Sequence, residues 1–317
     1  MQWVFHGSRP VRAKPGTSGT TDLRFPVDVV QLAKAIGSEL HIRARIVEVR
    51  SAPDLRSFEG GLFHLAGDEW ALLYNASLTS PGRIRFTQAH ELGHFLVHRT
   101  LQAEFQCSPA QVAGYDAGPK QMEAEADTFA STLLMPATQF RTAVAGQPID
   151  LDVLSEASRK FGVSLTSAAL RWIRSTDESA VLVLSRDGFI DWSVSTDRAL
   201  KNGAYIKTRN RVAPLPDGSL ATDAVAESRA GERLPLNTWF PHAHRDADVR
   251  EMKLQCDNYG YTLSLLHLSA NDKAWPPREQ SKLLGAWRLA GLQDHQSFDC
   301  MRPSEDTILR DLPQSQD

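Results

Sequence analysis

The stretch RIRFTQAHELGHFLVHR sets His90, Glu91 and His94 in an HExxH pattern. On an α-helix, residues four apart lie one turn apart on the same face. Two imidazoles so placed can reach one metal ion. The glutamate beside the first can hold a metal-bound water and take its proton. The pattern therefore predicts a helix here and makes zinc-dependent peptide hydrolysis the leading chemistry.

The rest of the chain supplies context for that helix. Residues 1 to about 24 are rich in Gly, Ser, Thr, Pro and Arg without a period, and read as a flexible leader. In PVDVVQLAKAIG, Val29, Leu32, Ala33 and Ile36 follow helical spacing, with Pro26 suited to the first turn and Gly37 to the exit. His41 to Val49 alternates as a strand. Gly60 to Leu65 and Trp70 to Asn75 predict a hairpin around Ala66-Gly67-Asp68. In the motif helix, Gly93 allows a close approach of neighbouring backbone.

Residues 103 to 120 have no period and several breakers, and read as a surface loop. A helix is expected from Gln121 to Leu134, closed by Pro136, and a short one near 138 to 144. Residues 150 to 175 read as helix, tight turn at Gly162, helix, like a helix-turn-helix. Hairpins follow at 180 to 194, around Arg186-Asp187-Gly188, and across the Asp257 to Gly260 turn. Residues 200 to 248 show no order that the pattern reveals, and a short helix is expected at 279 to 290.

Size and charge bound the function. A chain of 317 residues has room for two compact domains or three small ones. A formal net charge of −3 implies no general attraction to nucleic acid or anionic membranes. Cys107, Cys256 and Cys300 form no CxxC pair and read as reduced thiols. No apolar run suggests a signal peptide or a membrane helix, so a cytoplasmic location is expected.

A catalytic zinc site needs a third protein ligand. His98 lies one more turn along the same helix. Ligands at i, i+4 and i+8 would span about 12 Å, too far for one ion, so His98 reads as a helix-end or supporting group. No glycine follows Val97, which excludes the long metzincin pattern. His242, His244 and His267 fall in what reads as a separate domain. In EAEAD, Glu123 and Asp127 share a helix face while Glu125 points elsewhere. Glu123 fits as a metal ligand, with Asp127 holding the Nδ1–H of a ligand histidine. An ordinary acidic helix face is the alternative.

The run from Gly82 to His94, followed by Glu123 to Ala130 and by Leu133-Leu134-Met135-Pro136, resembles the ImmA/IrrE metallopeptidase family, over about residues 24 to 175. The resemblance implies an α+β fold. It comprises a zincin-like peptidase domain at 25–145 with a small β-sheet and the HExxH helix, a helix-turn-helix-like segment at 146–177, a C-terminal α/β, GAF-like sensor domain at 178–300, and a polar tail at 301–317. It implies one Zn²⁺ per chain, held by His90, His94 and Glu123, with Glu91 as general base. The implied substrate is a helix-turn-helix repressor, whose cleavage switches on stress-response or mobile-element genes. No repressor domain precedes Pro26, so that substrate is expected to be a separate chain.

The strand at Leu72 to Asn75 is a candidate for pairing with an extended substrate, and His98 and Tyr115 are candidates for stabilising the oxyanion. Two rival readings keep the fold and drop the chemistry: a regulator that binds DNA through residues 150 to 175 around a structural zinc, and a protein that neutralises its partner without cutting. Leu165, Ala168 and Leu170 in the second helix look like packing and count against DNA contact.

Overall fold

The structure, a computed structural model, describes residues 25–52, 59–77, 80–107, 117–208, 212–223, 227–244, 246–256 and 260–274. The leader, the tail, the 279 to 290 helix, Tyr115 and Cys300 lie outside them.

Helix α1 (Val29–Glu39) is capped by Asp28, whose carboxylate accepts from Gln31 N at 3.0 Å. Pro26 therefore precedes the helix rather than forming its first turn. Gly37 lies inside it, not at its exit. A Cβ there would come within 2.6 Å of the Ala44 carbonyl oxygen, so glycine lets the chain turn back against its own helix. His41, at φ 54°, makes that turn. The strand expected from residue 41 consequently starts later, as β1 (Arg45–Ser51).

Strands β2 (Gly60–His64) and β3 (Glu69–Tyr74) form the expected hairpin, with Gly67 at φ 58°. Residues read as loop include β4 (Glu104–Cys107), which pairs antiparallel with β2. Four residues are too few to show a period, and the partner strand supplies the order. The sheet order is β1-β3-β2-β4. Strand β3 is thus an interior strand, parallel to β1 on one side and antiparallel to β2 on the other. Its backbone groups are used, so Leu72 to Asn75 cannot accept a substrate strand. Among the described residues, β1 and β4 are the edges of this sheet.

Helix α2 (Pro81–Val97) carries the HExxH residues and packs on β2 and β3. Ser80 caps it, Pro81 takes its first position and Arg99 donates to the Phe95 and Leu96 carbonyls at its end. Helix α3 (Ala117–Leu134) lies against α2. Gly93 makes the contact: a Cβ there would sit 3.1 Å from Phe129 Cδ1 and 3.2 Å from Ala126 Cα. Leu62, Leu72, Leu92, Phe95, Ala130 and Leu134 fill the space between this pair and the sheet.

After α4 (Ala137–Val144), helices α5 (Leu151–Phe161) and α6 (Leu165–Ser175) meet at Gly162, in left-handed conformation at φ 63°. This turn docks on α2: Arg85 donates to the Gly162 carbonyl, and a Cβ on Gly82 would come within 2.7 Å of Ser164 N. Thr166 to Leu170, Trp172 and Ile173 are buried. The apolar positions of α6 are packing positions, as the sequence suggested.

The C-terminal sheet is wholly antiparallel. Strands β5 (Ser179–Arg186), β6 (Phe189–Ser195), β7 (Ser228–Pro235), β8 (Asp248–Cys256) and β9 (Tyr261–Leu268) take the order β6-β5-β9-β8-β7. Both faces are covered, which explains the unbroken burial of β5. Ala180, Leu182, Leu184, Leu263 and Leu265 join the cluster containing α5 and α6. Val181, Val183, Leu266 and Leu268 face the short helix α7 (Asp197–Lys201) and the segments around Ala221 and Trp239. The stretch from 200 to 248 thus contains the end of α7, β7 and two 3-10 turns. Among the described residues, no helix is long and apolar enough to cross a membrane.

Candidate metal centre

His90 and His94 project from the buried middle of α2 toward α3, with 2% and 0% of their surface exposed. Glu123 projects back from α3. His90 Nε2 lies 3.0 Å from His94 Nε2 and 3.2 Å from Glu123 Oε2, and His94 Nε2 lies 3.3 Å from Glu123 Oε1. Ligands on a tetrahedral zinc, at bonds of about 2.0–2.1 Å, stand about 3.3–3.4 Å apart. The three donor atoms are therefore already close to the edges of such a polyhedron.

The far side of each imidazole shows which nitrogen carries the proton. His90 Nδ1 is 2.7 Å from Asp127 Oδ1. A carboxylate can only accept, so Nδ1–H donates and Nε2 is left with its lone pair. His94 Nδ1 is 3.0 Å from His98 Nδ1, and His98 Nε2 is 3.0 Å from Glu125 Oε2. By the same reasoning His98 donates to Glu125, His94 donates to His98, and His94 Nε2 also turns a lone pair inward. Two lone pairs and a carboxylate converge at about 3 Å, an arrangement a divalent cation would stabilise and its absence would not.

The electrostatics agree. Burial lowers the His94 imidazole against the opposing pull of Glu123, which favours the neutral form that metal ligation requires. Burial also lowers His98, opposed by its bond to Glu125. For Glu123, burial acts to raise the carboxyl, but its close contacts with the His90 and His94 imidazoles outweigh it and hold the group well below the usual range.

Glu91 is completely buried. Its carboxylate lies against the first residue of β2: a Cβ on Gly60 would come 2.8 Å from Glu91 Oε1 and would strike Thr87 Cγ2. Arg83 pins the adjoining Glu59 through a paired contact, which fixes β2 against the first turn of α2. On the other side, Phe105 of β4 stacks on His94 with centroids 4.6 Å apart at 20°.

The structure thus brings together His90, His94, Glu123, Asp127 and His98, with Glu91 on the same helix. His98 sits at the C-cap of α2. Both of its ring nitrogens are engaged and only 2% of it is exposed, so it is not the oxyanion donor considered from sequence; Tyr115 lies outside the described residues. His267 pairs with Glu178 on the C-terminal sheet, and His244, mostly exposed, faces Asp246. Among the described residues the His90, His94 and Glu123 group is the only cluster of three or more metal-capable side chains. Sequence reasoning missed Glu125, Phe105 and Gly60. Glu125 does point away from the cage, as expected, but toward His98. The signal for it was the third histidine at four-residue spacing, which needs an acceptor of its own.

Residues 47–172 match the peptidase M78 family profile, described as an IrrE N-terminal-like domain. No curated protein is measurably similar to the chain. Among solved structures, a Mycobacterium tuberculosis transcriptional regulator is similar at 16% identity and a TM-score of 0.43, over 76% of this chain and 70% of that one.

Proposed function

We propose that the chain, whose residues 47–172 match the peptidase M78 profile described as an IrrE N-terminal-like domain, is a zinc-dependent endopeptidase acting on a partner protein. The substrate in this reading is a helix-turn-helix repressor on a separate chain, cut so that stress-response or mobile-element genes are released. The observation that supports the chemistry best is the convergence of two oriented imidazole lone pairs and one carboxylate at tetrahedral spacing.

His90, His94 and Glu123 would hold the ion. Zinc, when bound, supplies Lewis acidity toward a water and the scissile carbonyl. Glu91, beside His90 on α2, packs against Gly60 at the start of β2 and is shielded from bulk water. It takes the proton of the attacking water and passes it to the leaving amine as the C–N bond breaks. Asp127 and His98 keep the ligand tautomers fixed and undergo no change themselves.

An extended substrate needs a strand edge to pair with, and among the described residues β4 presents one beside the centre, since its Phe105 covers His94. An exposed loop of a partner can adopt that extended form; a packed core cannot. The burial of Thr166 to Leu170, Trp172 and Ile173 engages most of α6 in the core, which speaks against the rival reading of α6 as a DNA-recognition helix. The test is co-expression with a candidate helix-turn-helix repressor and mass spectrometry of the partner. Cleavage should appear with the wild type, vanish with chelator and vanish with Glu91→Gln, while Glu91→Gln keeps its zinc. Full cleavage by Glu91→Gln removes Glu91 from the mechanism. An intact partner bound to the zinc-loaded wild type favours neutralisation without cutting.

A further inference from the structure

We propose that Glu125 and His98 are positioning residues that set the tautomer of the ligand His94 through a two-step hydrogen-bond relay. The inference rests on the metal reading above and assigns Glu125 a task beyond that of an acidic helix face.

Helix α2 presents His90, His94 and His98 at successive turns of one face. The first is oriented in one step, by Asp127 at 2.7 Å. The second has no carboxylate against its Nδ1. It meets instead the Nδ1 of His98, at 3.0 Å. Two imidazole nitrogens at that distance need one proton between them, and either could be the donor in isolation. The choice is made one ring further on. Glu125 Oε2 stands 3.0 Å from His98 Nε2 and can only accept. It therefore draws the His98 proton to Nε2, leaves Nδ1 as the acceptor, and obliges His94 to donate from Nδ1. The proton that would otherwise block the cage is kept on its outer side.

The surroundings preserve this order. Gln121 Nε2 donates to the second Glu125 oxygen at 2.9 Å, one turn back along α3. Phe105 covers His94 and lies 6.2 Å from the His98 ring. His98 is 2% exposed, whereas the Glu125 side chain is 43% exposed. The middle of the relay is dry and its end is at the surface, so Glu125 can be changed without opening the core.

A carboxamide lacks the one-way character of a carboxylate. In Glu125→Gln the new amide can donate to His98 Nε2. The relay can then run backwards, with His98 Nδ1–H donating to His94 Nδ1 and a proton on His94 Nε2 facing the cage. Removing His98 altogether leaves the His94 Nδ1–H buried without its acceptor. Partners of this kind typically change metal affinity by about 10–100-fold.

The experiment uses the full chain and zinc alone, with affinity read by competition against a chromogenic chelator. Wild type should bind one zinc. His98→Ala should weaken binding by about 10–100-fold and Glu125→Gln by about tenfold. His98→Asn, whose carboxamide oxygen can accept from His94, should recover most of the loss. The metal-free melting temperature of Glu125→Gln should match wild type. In ¹⁵N-labelled zinc-loaded protein, the His94 Nδ1–H should exchange slowly with solvent, and quickly in both weakened variants. Unchanged zinc affinity in His98→Ala and Glu125→Gln, with stoichiometric zinc in the wild type, overturns the relay and leaves the metal site standing. Absence of stoichiometric zinc in the wild type overturns both.

Discussion

Replacing Gly93 by alanine sets a local gain against a packing loss, and the structure says which should win. Alanine is favoured over glycine inside a helix by about 0.8–1 kcal/mol. The added Cβ, however, would lie 3.1 Å from Phe129 Cδ1, 3.2 Å from Ala126 Cα and 3.3 Å from Ala126 O. Phe129 can shift its ring, but Ala126 offers only backbone. Restoring carbon contacts to about 3.5 Å therefore pushes α3 away from α2 by roughly 0.3–0.4 Å. Overpacking of this kind destabilises by about 1–3 kcal/mol, so the net effect should be a loss of about 0–2 kcal/mol. The larger consequence falls on the metal. Glu123 lies on the same face of α3 one turn before Ala126, and a displacement of roughly 0.3 Å exceeds the ±0.2 Å that metal–ligand distances tolerate. Zinc affinity should fall by about tenfold. At equal free zinc, the metal-dependent gain in unfolding free energy should then shrink by about 1.4 kcal/mol. Chemical denaturation of metal-free and zinc-loaded protein measures both quantities at once. A Gly93→Ala protein with wild-type zinc affinity would refute the claim that this contact sets the position of Glu123. One more stable than wild type would refute the tightness of the contact itself.

Gly60→Ala should displace the Glu91 carboxylate, 2.8 Å from the new Cβ. Cleavage should fall by about 100-fold while zinc binding persists; equal kcat/KM would show that the Gly60 contact does not position Glu91. Asp127→Asn should weaken zinc by about 10–100-fold in the same chelator competition, and wild-type affinity would deny Asp127 its hold on His90. In the C-terminal sheet, buried Glu251 accepts from Trp239 Nε1 at 2.7 Å and from the Leu220 and Ala221 amides at 3.1 and 2.9 Å. Glu251→Ala should destabilise the fold by about 3–5 kcal/mol in urea titrations; a change under about 1 kcal/mol would mean that water replaces the carboxylate freely. Burial pushes the Glu251 carboxyl up, and its donors and Lys253 offset this only in part. An acid raised on folding binds protons more tightly in the folded state, so its contribution is present at low pH and is lost as pH rises from the ordinary carboxylate range through the folded value. The stability difference between wild type and Glu251→Gln should drift against the wild type over that window, and a flat difference would contradict it.

The elements that could be read from sequence are those whose signal is local. The α2 motif, the turn at Gly67 and the helix break at Gly162 each depend on residues within one or two turns of chain. Strands β4 and β7 depend on a partner instead. Strand β4 exists because β2 has an open side. Strand β7 is a half-exposed edge strand with Arg229, Glu232 and Arg233 on it, and its pairing with β8 shifts register between Ser228 and Glu232, where Gly231 sits at φ 88° against Met252. Charges and a bulge erase the alternation that would have announced it.

The centre itself divides along the same line. HExxH sets two candidate ligands on one face through helix geometry alone, but the third candidate depends on how far α3 has slid along α2. Four-residue spacing gives Glu123 and Asp127 a common face without saying which histidine either would meet. What sets the register is the contact of Gly93 with Ala126, two small residues that let the helices approach until Glu123 reaches both Nε2 atoms and Asp127 reaches the back of His90. The same register carries Glu125, on the neighbouring face, to His98. One close approach between two helices therefore decides three carboxylate roles together. That is why the acidic run looked in isolation like a solvated helix face, and why its meaning lies in a glycine on the opposite helix rather than in the acids themselves.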